Sequence, residues 1–209
     1  MTDTSNRRPL ASRRSAWAGR LATRAVQRGI TPNQISQASV GFAALGLFAY
    51  SATLLVSGLF QWLMLILAAA AIQARLICNL IDGMVAVEGG QATKDGPFWN
   101  EAPDRVSDFL LLTGAGIDAG SPTLGAVAAA LAIATAYLRE LGRGEGLPPD
   151  FSGPMAKPQR MAALTLGTVI AAFYAADWTL TLTLWIILAG TAATCLRRSL
   201  RLIAALKAQ

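Results

Sequence analysis

Arg75, Asn79, Asp82 and Ala86 recur at steps of four, three and four, which places them on one face of a helix. Asn100, Asp104 and Asp108 follow at steps of four, with Glu101 beside them. Two acidic stripes facing each other repel, by roughly 4 kcal/mol for a pair about 4 Å apart at an effective dielectric near 20. A divalent cation relieves that repulsion, and carboxylate and amide oxygens are ligands that Mg²⁺ and Mn²⁺ accept. The chain has no histidine, which removes Ser-His-Asp and Cys-His nucleophiles, His-ligated zinc and an imidazole proton shuttle. Acid–base work falls to carboxylates, Lys or Tyr. Cys78 and Cys195 lie far apart in apolar runs and read as buried small hydrophobes rather than a disulfide framework. The bland reading of the polar stripe is that it only pairs helices within a membrane. Its concentration at a single depth favours chemistry.

The elements that must position these residues follow from composition. Of 209 residues 54% are hydrophobic and only 14% charged, with mean hydropathy +0.45, whereas soluble domains carry about 25% charged residues. Apolar runs lie near residues 39–59, 61–81, 109–117, 123–138, 161–176 and 179–195. A span needs about 20 residues, so the third run is short unless the polar stretch 98–108 is its cytoplasmic half. The expected fold is an all-α integral membrane protein. It has six transmembrane helices at about 33–59, 61–87, 98–118, 122–142, 158–176 and 178–198, preceded by an amphipathic interfacial helix over 15–29. A flexible basic N-terminus covers 1–14, and residues 15–209 form one membrane domain.

The formal net charge of +6 supports this topology. Residues 1–29 carry seven arginines against one acid, Asp3, and Arg20, Arg24 and Arg28 recur at steps of four. Trp17, Leu21, Ala22, Ala25 and Val26 occupy a neighbouring arc, which suits a helix lying among lipid headgroups. A nucleic-acid surface is disfavoured, because aromatic residues are few and an apolar span follows at once. Thr31-Pro32-Asn33 breaks this helix and caps the next. The loops near Gly58, 118–122 and 175–178 hold no Lys or Arg, while the cations outside the spans collect at the other face. That is the positive-inside distribution, with both termini cytoplasmic; Arg75 alone falls inside a span. A bacterial inner membrane is the expected location, ahead of a mitochondrial one.

At this point the residues resemble a known family. Asp82-Gly83-Met84-Val85-Ala86, then Gly96, Asn100 and Asp104, is similar to the CDP-alcohol phosphatidyltransferase signature D-x2-D-G-x2-A-R-x8-G-x3-D-x3-D. Asn79 falls on the first Asp position. Ile30-Thr31-Pro32-Asn33 resembles the family's approach to its first membrane helix. The stretches 137–143 and 153–160 resemble its basic segment between the fourth and fifth helices. The sequence departs at Asn79 and Asn100, which replace Asp, at Val87, which replaces Arg, and at Pro103, displaced to just before Asp104.

The resemblance implies attack by an alcohol on the β-phosphorus of a CDP-linked lipid such as CDP-diacylglycerol, releasing CMP, in a homodimeric enzyme. It implies Asp104 as general base, with Asp82, Asp104, Asn79 and Asn100 at the positions that hold one or two Mg²⁺ or Mn²⁺ ions. It implies nucleotide contacts at Asp82, Gly83, Ala86 and Gly96, where the two glycines let the nucleotide approach the helix backbones closely. With two amides the four acidic positions carry −2 rather than −4. Three resolutions are open: one ion held with neutral amide oxygens; recruitment of Glu101, Asp108 or Glu88; or a site without catalysis. Arg75, one turn from Asn79, could supply positive charge in place of one ion.

Arg139, Arg143, Lys157 and Arg160 gather at the same face and suit a phosphate-bearing acceptor such as glycerol 3-phosphate or an inositol phosphate. The plainer readings are topological bias with anionic headgroups, and an Arg139-Glu140 pair at a helix end. The glycine-containing loop 89–96 lacks the phosphate-loop pattern and reads as a turn over the nucleotide. Set against the enzyme stand a silent relative that binds CDP-lipid or scaffolds lipid enzymes, and a small transporter using the polar stripe.

Overall fold

A computed structural model describes residues 15–87, 89–91, 93–174 and 178–209. The basic segment 1–14, Glu88 and most of the 175–178 loop lie outside the described residues. The described chain is all-helical. Helix α1 (Ala16–Gln27) precedes α2 (Pro32–Ala52), which runs into a single 3-10 turn, Thr53–Leu55. Then come α3 (Leu59–Val87), α4 (Gly96–Asp118), α5 (Pro122–Gly144), α6 (Lys157–Tyr174) and α7 (Trp178–Lys207).

Six of these helices close into a ring in the order α2, α4, α5, α7, α6, α3, while α1 lies outside against α3. Ala43, Ile72, Leu111, Ala128, Leu164 and Leu184 fill the interior. Small residues let the helices approach closely. At the α4–α5 crossing, a methyl added to Gly116 would lie 2.9 Å from the Gly125 backbone. Helix α1 buries Ala18 and Ala22 against Leu80, Ile81, Met84 and Val85. Its arginines 20, 24 and 28 stay exposed.

Among the described residues, four helical segments are long and apolar enough to cross a membrane: Pro32–Leu55, Leu59–Val87, Pro122–Gly144 and Trp178–Lys207. Helices α4 and α6 carry charged N-terminal portions, Glu101 to Asp108 and Lys157 to Arg160.

Local chemistry sets the boundaries. The Thr31 hydroxyl accepts from the Gln34 amide at 3.3 Å, and the Gln34 side chain accepts from the Thr31 amide at 2.9 Å, with Pro32 opening α2. This capping box satisfies two of the helix's orphan donors. The expected helix over 33–59 stops at Ala52 instead. The Thr53 hydroxyl takes up the Tyr50 carbonyl at 2.5 Å and also binds Asp118, and Gly58 at φ +58° turns the chain into α3. Helix α7, expected to stop near 198, runs on to Lys207. Arg197, Arg198 and Arg201 interrupt the apolar run there, yet the helix continues through them, and Arg198 is buried and donates to the Thr135 carbonyl at 2.6 Å.

Candidate functional site

A cleft of about 920 Å³ opens between the helices, and α3 and α4 supply facing walls. Asn79, Asp82, Gly83 and Ala86 line it from α3; Gly96, Asn100, Glu101 and Asp104 line it from α4. The structure therefore brings Asn79, Asp82 and Ala86 of one stripe and Asn100, Glu101 and Asp104 of the other onto one cavity. Lys157 of α6 and Arg139 and Arg143 of α5 also reach it. Arg75, Asp108 and Arg160 do not line this cleft. They are buried in the adjoining protein interior.

Each carboxylate is held by a different set of donors. Asp82 accepts from the Ser36 hydroxyl at 2.8 Å and from the Gly83 amide at 2.5 Å. Asn79 accepts from Ser39 at 3.1 Å and donates its amide to Asp104. Arg75 reaches Asp104 at 3.4 Å, and Lys157 binds the other Asp104 oxygen. Behind them, Asp108 sits between Arg75 and Arg160, each at 2.7 Å. Burying ions is costly unless they are paired with good geometry, and Asp108 meets that condition on both oxygens.

The expected acceptor cations are all paired with acids. Arg139 donates to both Glu101 oxygens at 2.6 Å and to Glu140 at 2.8 Å, with its guanidinium 5.4 Å from the Phe151 ring centre. Arg143 pairs with Glu140 at 2.8 Å, so the Arg139-Glu140 helix-end pair is present as well. Arg160 and Lys157 belong to the Asp108 and Asp104 clusters. Arg105 also binds Glu101.

Ser36 and Ser39 were not among the expected site residues. Their signal is a pair of hydroxyls three apart in the polar first turns of α2, beside Asn33, Gln34 and Gln37. Asp95 and Trp99 form a further unanticipated group at the cleft mouth. Asp95 accepts from Asn33 at 3.1 Å and from the Trp99 indole at 2.9 Å. The Thr93 hydroxyl, helped by its own amide, Trp99 and Asn33, holds the Asp95 carboxyl below the usual carboxylate range.

Oxygen donors suit a hard divalent cation, and Asp82 and Asp104 offer one carboxylate from each wall. That set fits one ion. It does not fit two: Asn79 and Asn100 are amides, Asn100 turns its amide 3.3 Å from Glu101, and both Asp104 oxygens already face cations of the chain. Among the described residues, no group of three or more His, Cys, Asp or Glu side chains is arranged to hold a metal.

No family model matches the chain. A phosphatidylinositol phosphate synthase of Mycolicibacterium smegmatis is 25% identical over 188 residues, covering 85% of this chain and 80% of that protein. The crystal structure of Mycobacterium tuberculosis phosphatidylinositol phosphate synthase (PgsA1) with CDP-DAG bound superposes with a TM-score of 0.75 at 18% identity, covering 90% of this chain and 94% of that one. The same synthase in complex with manganese and citrate gives 0.74 at 18% identity, covering 88% of both chains. The fold is shared along nearly the whole length, and the chain is similar in sequence to a phosphatidylinositol phosphate synthase, a CDP-alcohol phosphatidyltransferase.

Proposed function

We propose that the protein transfers a phosphatidyl group from CDP-diacylglycerol to an alcohol acceptor and releases CMP. The observation that carries this reading is the cleft itself, where Asp82-Gly83 on α3 faces Gly96 and Asp104 on α4, with Lys157 of α6 paired to Asp104. The similarity to synthases, one of them with CDP-DAG bound, supports the same donor.

In this reaction the acceptor hydroxyl attacks the β-phosphorus, and the bond from that phosphorus to the bridging oxygen breaks, so CMP leaves. Gly83 and Gly96 admit the nucleotide close to two helix backbones. Asp104 takes the acceptor's proton as general base; Asn79 and Arg75 fix the orientation of its carboxylate. Ser36 and the Gly83 amide fix Asp82. A Mg²⁺ or Mn²⁺ ion held by Asp82 and Asp104 would neutralise charge on the diphosphate. The relative solved with manganese supports a divalent ion here.

A phosphorylated acceptor, glycerol 3-phosphate or an inositol phosphate, is favoured by Arg139 and Arg143 at the cleft, and the similarity to a phosphatidylinositol phosphate synthase supports the inositol phosphate. The six ring helices are read as crossing a bacterial inner membrane, with α1 lying in its cytoplasmic interface. Both termini and the cleft then face the cytoplasm, as the cation distribution favours. A homodimer is the corresponding assembly.

The test is CMP release by purified protein given CDP-diacylglycerol, Mn²⁺ or Mg²⁺, and a panel of glycerol 3-phosphate, inositol phosphate and serine. Release with one acceptor, lost in Asp104→Asn, supports the reading. Retained nucleotide binding with no CMP from any acceptor would point to a silent relative, a reading favoured by the amides at Asn79 and Asn100.

A further inference from the structure

Resting on the phosphatidyl-transfer reading, we infer that Lys157 and Arg75 supply at Asp104 the positive charge of a second metal ion, so that the site works with one divalent cation. The four signature positions carry two carboxylates, and both oxygens of Asp104 are met by cations from other helices. Arg75, Lys157 and Arg160 together outnumber Asp104 and Asp108 by one charge, three against two. An additional dication beside Asp104 would meet like charge on two sides. The diphosphate of a CDP-lipid instead meets cations already in place around Asp104.

The two cations differ in what they can do. Arg75 has no exposed surface and is anchored on Asp108 at 2.7 Å, so it is a fixed countercharge. Its Nε and Nη1 have no hydrogen-bond partner, which marks it as held for its charge rather than for complete bonding. Lys157 opens α6 at the cleft wall, and its side chain is 25% exposed. A flexible ammonium can leave Asp104 for a diphosphate oxygen. That move uncovers the Asp104 oxygen as the acceptor hydroxyl needs it. Lys157 is thus assigned to the donor diphosphate instead of the acceptor phosphate.

Metal counting tests this without turnover. Mn²⁺ is titrated by electron paramagnetic resonance into purified full-length protein with saturating CDP, and the expected result is one ion per chain. Two ions, or none, would overturn the inference. Lys157→Met should admit a second, weaker Mn²⁺ and should weaken CDP binding in EDTA by tenfold or more, with Lys157→Arg restoring both. An unchanged single ion together with unchanged CDP affinity in Lys157→Met would also overturn it. The partly exposed lysine is the substitution of choice, because loss of the buried Arg75 threatens the fold, and a melting curve of each variant checks that it is folded. One bound Mn²⁺ with the Lys157 effects intact, but no CMP with any acceptor, would sink the transfer reading while upholding the charge substitution.

Discussion

Arg75 Nη2 donates to Asp108 Oδ1 at 2.7 Å, and neither side chain has any exposed surface. The other Asp108 oxygen accepts from Arg160 at 2.7 Å. One carboxylate of α4 therefore ties α3 to α6 directly behind the cleft. Removing one partner from a buried ion pair leaves an uncompensated charge, which costs about 3–5 kcal/mol. Asp108→Asn is expected to lose stability on that scale in equilibrium unfolding from detergent micelles. A loss under about 1 kcal/mol, the range of exposed pairs, would show that Asp108 is not a buried tie.

The helix ring makes a second, independent demand. A methyl added to Gly125 would lie 3.0 Å from the Gly116 backbone and 3.1 Å from that of Thr113. Backbone cannot yield as a flexible side chain does, so α4 and α5 must separate. Overpacking of this kind costs about 1–3 kcal/mol, and Gly125→Ala should show it in the same unfolding experiment. Gly144→Ala is the control, since a methyl there meets nothing within 4 Å.

What the sequence made legible was whatever repeats with helical period. Asn79, Asp82 and Ala86, and Asn100 and Asp104, reach one cleft because steps of three and four share a face. Pairings across the fold carry no such signal. Lys157 meets Asp104 from 53 residues away, and Arg139 meets Glu101 from 38. From the sequence both cations suit a phosphate, with a Glu140 pair the alternative for Arg139; the structure gives each an acid on another helix. Helix ends were misread where side chains decide them, as Thr53 does at the end of α2. The end of α7 was misread because an apolar run is not the same thing as a helix.

Asp95 offers a test in the acid range. Its carboxyl lies below the usual carboxylate value of about 3.9, chiefly through the Thr93 hydroxyl, with its own amide, Trp99 and Asn33 contributing. A lowered folded-state value means the stabilisation is present above the ordinary carboxylate value and is lost as pH falls through the lowered one. The Trp99 contribution to fluorescence, taken as the difference from Trp99→Phe, should stay constant down to about pH 4 and change only in more acid solution. Asp95→Asn should abolish that acid step. A step centred on the ordinary value would mean that Thr93 and its companions do not hold the charge.

Glu101 sets how available Arg139 is to a substrate. Its two oxygens accept from Arg139 at 2.6 Å, and Arg105 binds it too. An incoming phosphate must compete with this carboxylate for the guanidinium, which is also tied to Glu140. Glu101→Gln keeps the shape and removes the competing charge. The KM for a phosphorylated acceptor should then fall roughly fivefold, matching about 1 kcal/mol for a partly exposed ion pair. The KM for an uncharged alcohol should not move, because no phosphate contact is involved, and kcat should hold because Glu101 takes no proton in the reaction. Equal effects on charged and uncharged acceptors would remove Arg139 from acceptor recognition and return the Glu101 pair to a structural tie between α4 and α5.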